Sequence, residues 1–197
     1  MGYVYRPNES HIINASQNNL PHIKWSVIVQ GKKHQVVAKG IFFMTNKQSL
    51  IFDEKKYPIT WRFNSVDCSL SDEDKHKIIF LIQDESKKLW NSLFPFNNLM
   101  EINENYFLLA EKKDLDFDEE DRSRDFFVQK LQSTELLIFF WGRSNCAIIP
   151  SSILIKAWSD FFYPSDEDCI VYLVNKEKII FSYEETFFYG NILTDKK

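Results

Sequence analysis

Residues 135–183 have the sequence ELLIFFWGRSNCAIIPSSILIKAWSDFFYPSDEDCIVYLVNKEKIIFSY, and the predicted fold is built around them. It contains four short apolar runs that are rich in β-branched and aromatic side chains and are bounded by Gly, Asn, Pro, Ser or Asp. Such runs are typical of strands in an antiparallel sheet. The predicted strands are Leu136–Trp141, Cys146–Ile149, Ile170–Val174 and Ile179–Ser182.

A helix is predicted between the second and third of these strands. Pro150, Ser151 and Ser152 mark its start, because proline and serine favour the first positions of helices. The apolar side chains that follow at helical spacing are Leu154, Ala157, Trp158 and Phe161. The chain after Phe188 is polar, and we expect it to be frayed.

Further elements are predicted on the N-terminal side of this stretch. Ser71 is a good helix cap, and the carboxylates after it suit the positive end of a helix dipole. That helix is expected to bury Ile78, Ile79 and Ile82, and a second helix to bury Leu89, Trp90 and Leu93 before Phe94-Pro95 ends it. The remaining predictions are strands at Ile59–Phe63 and Tyr106–Leu109, and a helix over Arg122–Gln132 that buries Phe126, Phe127 and Leu131.

The N-terminal quarter has a different character. Residues 1–20 are polar and lack periodicity, which predicts a loose arm. Residues 21–56 predict a β-meander whose strands contain Ile23–Val29, Val36–Met44 and Leu50–Phe52. No Gly/Ser-rich or Pro-rich linker separates this meander from the main body at residues 57–190, so we expect residues 1–197 to form a single domain. The predicted class is α+β: an antiparallel sheet, divisible into two β-meanders, with helices packed on one face.

Composition restricts the classes of function. The chain has 28 acidic and 24 basic residues and a net charge of −4, which does not favour binding to nucleic acid. No charged and apolar leader opens the sequence, and no apolar run approaches the ~18 residues of a membrane span. The three cysteines lie at wide spacings, and Cys146 and Cys169 lie in apolar runs typical of the core. We expect a cytoplasmic protein without a disulfide framework, a membrane association or a nucleic-acid partner.

An acidic segment before the Arg122 helix is the first candidate site. Its carboxylates are Asp114, Asp116, Asp118, Glu119, Glu120 and Asp121. The first three match the early ligand positions of a calcium loop, but Glu119 replaces the required glycine and Asp125 replaces the bidentate glutamate. The segment is therefore either a solvated loop or a docking surface for a basic partner, which clustered carboxylates would attract.

A second candidate site follows the Trp158 helix. Tyr163 and the carboxylates of Asp166, Glu167 and Asp168 form another acidic loop beside aromatic residues. This loop is either a plain turn or part of an interface in which carboxylates surround aromatic anchors.

Signatures of catalysis are missing from the sequence. The four histidines form no zinc-ligand spacing, and Gly142–Asn145 is typical of a hairpin turn rather than a serine nucleophile elbow. We therefore predict that the protein is not an enzyme and needs no cofactor or metal. A small enzyme with a carboxylate-based site stays as an alternative, because carboxylate pairs are assembled in space. A second alternative is a structural or regulatory module that dimerises through the edge of a strand.

Two segments resemble a family of small, uncharacterised bacterial proteins. The segments are TWRFNSVDCSLSDEDKHKIIFLIQDESKKLWNSLF and FFWGRSNCAIIPSSILIKAWSDFFYPSDEDCIVYLVNKEKIIFSY, over about residues 60–94 and 138–183. In general type the chain is also similar to immunity proteins of bacterial toxin–immunity systems, such as contact-dependent growth inhibition. That resemblance implies a small, acidic, cytosolic α+β protein that neutralises one cognate protein toxin by tight binding. We expect the chain itself to be a monomer or a weak homodimer.

Overall fold

The computed structural model describes residues 11–15, 25–30 and 33–38 by their backbone, and residues 50–131, 136–174 and 176–193 with their side chains. Contacts divide the chain into two compact units, Met1–Lys47 and Gln48–Lys197. The first unit contains an antiparallel three-stranded sheet in the order β1-β2-β3. Its strands are β1 (His11–Ala15), β2 (Trp25–Gln30) and β3 (Lys33–Ala38).

The three-stranded sheet differs from the predicted meander. The strand at His11–Ala15 lies inside the region expected to be a loose arm, and it pairs with β2. The prediction of a third strand at Leu50–Phe52 is wrong: those residues pair with no strand of the described part of the chain, and the Phe52 amide donates to Asn64 Oδ1 at 2.9 Å. Residues 1–10, 16–24 and 39–49, on which other parts of these predictions fall, lie outside the described residues.

The second unit contains an antiparallel seven-stranded sheet in the order β4-β7-β6-β8-β9-β10-β5. Its strands are β4 (Ile79–Leu81), β5 (Phe107–Asp114), β6 (Leu136–Trp141), β7 (Asn145–Pro150), β8 (Cys169–Leu173), β9 (Lys178–Tyr183) and β10 (Thr186–Ile192). Its helices are α1 (Trp61–Asn64), α2 (Asp72–Lys75), α3 (Gln83–Leu93), α4 (Glu120–Leu131), α5 (Ser151–Lys156) and α6 (Trp158–Phe161).

The α+β class and the antiparallel sheet are confirmed, and helices cover both faces of the seven-stranded sheet. On one face Trp141 stacks on Phe161 of α6, with ring centroids 6.0 Å apart. Its neighbour Phe140 points to the opposite face, because side chains alternate along a strand. There the rings of Trp90, from α3, and Phe94 lie 5.3 and 5.5 Å from the Phe140 ring. Helices α4 to α6 thus share one face as expected, and α3 covers the other.

Most predicted elements of this unit are confirmed. The four strands of residues 135–183 occur within one residue of their predicted ends. The Ser71 hydroxyl caps α2 by accepting from the Asp74 amide at 3.2 Å. The thiols of Cys146 and Cys169 lie in the core and form no disulfide bond.

Three predictions for the body are wrong. Ile59–Phe63 is helical, since a 3-10 turn at Pro58–Thr60 continues into α1. The helix that begins at Ser71 ends at Lys75, and Ile79 begins a strand that pairs with β7. The periodicity of a short apolar run does not distinguish a helix from a strand, so its conformation depends on its tertiary contacts.

The third error concerns the C-terminal segment. It was expected to fray after Phe188, but it forms β10 between β9 and β5. Both edges of β10 are hydrogen-bonded, and Phe187 is completely buried. Backbone hydrogen bonds to β9 and β5 stabilise this strand although it has few apolar residues. Its polar composition therefore did not predict a strand. Residues 194–197 lie outside the described residues.

Candidate functional site

The first acidic loop, Asp114–Asp121, is fastened to the body through its apolar and backbone groups. Leu115 is buried, and its amide donates to the Glu185 carbonyl at 2.9 Å. The Phe117 ring lies 4.6 Å from the Trp158 ring. The Trp158 indole N–H donates to the Glu120 carbonyl at 3.2 Å. These contacts leave the loop's carboxylates pointing to solvent.

The carboxylate side chains of the first acidic loop are exposed, and two of them are paired with arginines of α4. Arg122 contacts Glu119 at 3.4 Å, and Arg124 contacts Asp121 at 2.5 Å. Asp114 accepts from the Thr186 hydroxyl at 2.7 Å, while Asp116 accepts from the Asp118 amide at 2.8 Å. The exposed carboxylates of this loop are Asp114, Asp116, Asp118, Glu119, Glu120 and Asp121.

The second acidic loop, Tyr163–Asp168, is held by its own Asp166. That carboxylate receives two hydrogen bonds of 2.7 Å from Arg62 and one of 2.8 Å from the Tyr163 amide. Asp166 is therefore mostly internal, whereas Glu167 and Asp168 are exposed. The loop presents two free carboxylates rather than the three that the sequence predicts.

Arg62 is the buried cation that organises this loop. Burial disfavours its charged form, but the hydrogen bonds and charge of Asp166 outweigh that cost, so the pKa of Arg62 is raised. The guanidinium carbon lies 4.2 Å from the centre of the Tyr163 ring. Burial also raises the pKa of the Tyr163 phenol, against the opposing influence of Arg62.

An exposed aromatic pair borders the second acidic loop. Trp61 of α1 packs edge-on against Tyr163, with ring centroids 5.7 Å apart, and is 48% exposed. Trp61 lies in the segment predicted to be a strand and was not among the predicted site residues. No local pattern identifies it, since its exposure depends on α1 packing beside the second acidic loop.

A third acidic segment lies between the two loops. The turn Tyr183–Thr186 joins β9 to β10 and exposes Glu184 and Glu185. The Glu184 amide donates to the Asp166 carbonyl at 3.1 Å. The Glu185 carbonyl accepts from Leu115 at 2.9 Å, as described above. The hairpin turn thus joins both acidic loops at one end of the sheet.

We call this surface the acidic rim. It consists of ten exposed carboxylates: Asp114, Asp116, Asp118, Glu119, Glu120, Asp121, Glu167, Asp168, Glu184 and Glu185. Glu184 and Glu185 were not among the predicted site residues. The signal for them in the sequence is a pair of adjacent glutamates between two runs that contain aromatic residues. Arg122 and Arg124 are the cations paired with the rim, so its net charge is strongly negative.

Metal binding and carboxylate catalysis both require acidic or metal-ligating side chains that converge on one point. Among the described residues, no group of three or more His, Cys, Asp or Glu side chains is arranged to hold a metal ion. Glu85 is the described carboxyl group whose pKa is raised, by partial burial, and its charged neighbours are Lys88 and Lys56. A paired-carboxylate site would require a second carboxylate there. No helix among the described residues has the length and apolar character to cross a bilayer.

No protein-family model matches this chain, and no curated protein or solved structure matches it significantly.

Proposed function

We propose that this chain is an immunity-type binding protein that neutralises a cognate, basic toxin domain by binding to it and occluding it. One observation carries the proposal. Three acidic segments that are far apart in the sequence meet at one end of the sheet through the hydrogen bonds of Leu115, Glu184 and Glu185.

The charge of the acidic rim favours rapid association with a cationic protein. Clustered like charges focus the field and raise association rates by roughly 10–10³-fold at low salt. Asp118, Glu167 and Glu185 contribute to that field without a structural duty, because their carboxylates make no hydrogen bond or ion pair with described residues. These carboxylates can therefore exchange bound water for contacts with a partner without breaking a contact among the described residues.

Aromatic side chains beside the rim supply the short-range part of binding. Trp61 and Tyr183 are 48% and 43% exposed, and Tyr163 is half-buried next to Trp61. Tryptophan and tyrosine dominate the binding energy of protein interfaces, where surrounding polar groups exclude water. The combination fits a toxin surface with lysines or arginines around an apolar contact.

The rim is also preorganised. Leu115 is buried, Phe117 packs on Trp158, and Asp166 is fixed by Arg62. Loops already held in one conformation lose little entropy on binding, which favours tight complexes. Tight binding is what occlusion of a toxin requires.

The test uses the basic domain of a toxin whose gene adjoins that of this chain. The domain is expressed in a bacterial host with the wild-type chain or with the triple variant Asp118→Lys, Glu167→Lys and Glu185→Lys. Each substitution reverses one exposed charge in one of the three acidic segments. We expect the wild type to restore growth, and the triple variant to associate with the purified domain at least about tenfold more slowly at low salt.

A matched control reverses three exposed carboxylates elsewhere: Asp72→Lys, Asp84→Lys and Glu104→Lys. The net charge is then the same as in the rim variant, so a general charge effect would slow both. Equal association rates and equal growth protection in the two triple variants would contradict the proposal. Circular dichroism and unfolding midpoints check that both variants remain folded.

A further inference from the structure

Trp61 differs from the other tryptophans that the structure describes with side chains. Trp90, Trp141 and Trp158 are buried, and each donates its indole N–H to a backbone carbonyl. Trp61, the first residue of α1, is 48% exposed. An exposed apolar ring among polar groups is typical of an interaction surface rather than of a folding core.

One side of the Trp61 ring already contacts a guanidinium. The guanidinium carbon of Arg62 lies 5.5 Å from the centre of the Trp61 ring and 4.2 Å from the centre of the Tyr163 ring, within the range of cation–π contacts. Asp166 accepts two hydrogen bonds of 2.7 Å from the same guanidinium. Because Arg62 is buried, this contact uses the inner side of the indole and leaves its outer surface open to solvent. The protein thus contains an internal example of an arginine held by aromatic rings and a carboxylate.

Carboxylates are attached to α1 and to the loop that follows it. Glu54 accepts from Asn64 Nδ2, at the end of α1, at 2.8 Å. Asp160 accepts from the Ser69 hydroxyl at 2.6 Å and from the Ser69 amide at 3.0 Å. Glu167, in the second acidic loop, is exposed and makes no hydrogen bond or ion pair through its side chain with described residues. Two of these carboxylates are therefore held in place near α1, and the third is free to bind a cation.

The charge of the segments around Trp61 is negative. Residues 51–69 and 160–168 together contain seven acidic and three basic residues. One of the three is Arg62, whose charge is balanced by Asp166. This part of the surface therefore attracts a cation of a partner, and the indole beside it offers a flat apolar contact.

We propose that Trp61 and the carboxylates near it bind an arginine side chain of the basic partner, with the guanidinium stacked on the outer surface of the indole. Arginine fits better than lysine, because a guanidinium is planar, weakly hydrated and able to donate to a carboxylate while it lies on a ring. The inference rests on the proposed function and deepens it, since it names the side chain of the partner that Trp61 recognises.

The test compares two probes of equal charge, nona-arginine and nona-lysine peptides, by calorimetric titration of the full chain. Both peptides are attracted by the acidic rim, so a difference between them reports on contacts beyond net charge. We expect the wild type to bind the arginine peptide at least about threefold more tightly than the lysine peptide. Trp61→Leu keeps an apolar side chain but removes the ring, and should remove this preference. Trp61→Phe retains a smaller ring and should keep part of it.

The control is Tyr183→Leu, which removes another ring beside the acidic rim. Tyr183 is 43% exposed, and the structure places no guanidinium on its ring among the described residues, so this variant should keep the wild-type preference. Circular dichroism and unfolding midpoints check that the variants remain folded. Equal binding of the two peptides by the wild type would overturn the proposal. So would a preference that persists in Trp61→Leu or disappears in Tyr183→Leu.

Kinetics with the basic domain of the neighbouring toxin separate this inference from the proposed function. Trp61→Leu should dissociate from the domain at least about tenfold faster than the wild type, with little change in the association rate, because the contact forms at short range. A wild type and a Trp61→Leu variant that dissociate from the domain at the same rate would contradict the arginine contact and leave the proposed function standing. A domain that does not bind the wild type would contradict the proposed function, and the peptide preference would still decide whether Trp61 binds arginine.

Discussion

The guanidinium of Arg62 and the carboxylate of Asp166 form a bidentate ion pair, with Nη1–Oδ2 and Nη2–Oδ1 distances of 2.7 Å each. Arg62 also donates to the Phe161 carbonyl at 3.2 Å. The pair therefore connects α1, the end of α6 and the second acidic loop. The position of Glu167 and Asp168 in the acidic rim depends on it.

Loss of Arg62 should destabilise the protein. The side chains of Arg62 and Asp166 are only 8% and 15% exposed, so Arg62→Ala leaves a largely buried carboxylate without its counter-charge. Removing one member of such a pair costs about 3–5 kcal/mol. Urea unfolding should report a loss of this size in the free energy of unfolding.

The control for that experiment is Arg122→Ala. The Arg122 side chain is 84% exposed and pairs with Glu119 on the surface, so its removal should change stability by less than about 1 kcal/mol. Replacing both buried partners, Arg62→Met with Asp166→Leu, should cost less than Arg62→Ala alone, because no unpaired charge is left. Equal losses for Arg62→Ala and Arg122→Ala would contradict this account.

Asp74 should make stability depend on pH in the acid range. Hydrogen bonds from Lys156, Ser71 and Lys77 hold the pKa of Asp74 below its ordinary value, although burial opposes them. A carboxyl whose pKa is lower in the folded state contributes its full stabilisation above the unfolded pKa, which is about 3.9. That contribution is lost as pH falls through the folded pKa.

Two variants check the role of Asp74. Unfolding by urea at about pH 6 and about pH 3 should show a smaller difference for Asp74→Asn than for the wild type. Lys156→Met removes the partner that lies 2.5 Å from Asp74 Oδ2 and should reduce the difference in the same direction. A wild-type difference that persists in Asp74→Asn would assign the acid sensitivity to other carboxylates.

The three thiols should differ in reactivity. Burial raises the pKa of Cys146 well above its ordinary value, and burial together with Asp166 does so for Cys169. Cys68 is half-buried, and burial raises its pKa less strongly. A thiol reagent should therefore label only Cys68 in the native protein, slowly, and all three cysteines after unfolding. Native labelling that survives in Cys68→Ser would show that a core cysteine is accessible.

Gly190 is predicted to tolerate no side chain. A Cβ atom there would lie 2.2 Å from the Leu108 carbonyl oxygen and 2.6 Å from the Phe107 ring. Gly190→Ala must push β5 away from β10, at a cost of about 1–3 kcal/mol. Hydrogen exchange of the Leu193 amide, which donates to Tyr106, should become faster.

Gly142→Ala is the contrasting substitution for Gly190. Its φ of 63° disfavours alanine by about 1 kcal/mol, but the added Cβ would meet its nearest atom, Asp168 Oδ2, at 3.6 Å. Stability should fall slightly, and exchange of the Leu193 amide should stay at the wild-type rate. Faster exchange in both variants would indicate a general loss of stability rather than displacement of β5.

The centre of the fold follows from local patterns of residues. Strands β6 to β9 consist mainly of apolar residues, and this composition predicts that both of their faces are buried. α4 was predictable from the spacing of Phe126, Phe127 and Leu131, because a helix that faces a core repeats its apolar positions. The exposed charges of the two acidic loops were likewise visible locally.

The other features of the fold depend on contacts between residues that are distant in the chain, so local patterns do not predict them. The sheet made a strand of Ile79–Leu81 by pairing it with β7, and made another of Thr186–Ile192 by holding it between two neighbours. The same holds for the candidate site. Hydrogen bonds from Leu115 and Glu184 join the three acidic segments, and Arg62 withdraws Asp166 from the surface. The residue types thus locate the acidic segments in the sequence. Tertiary contacts determine which of these carboxylates lie together on the surface.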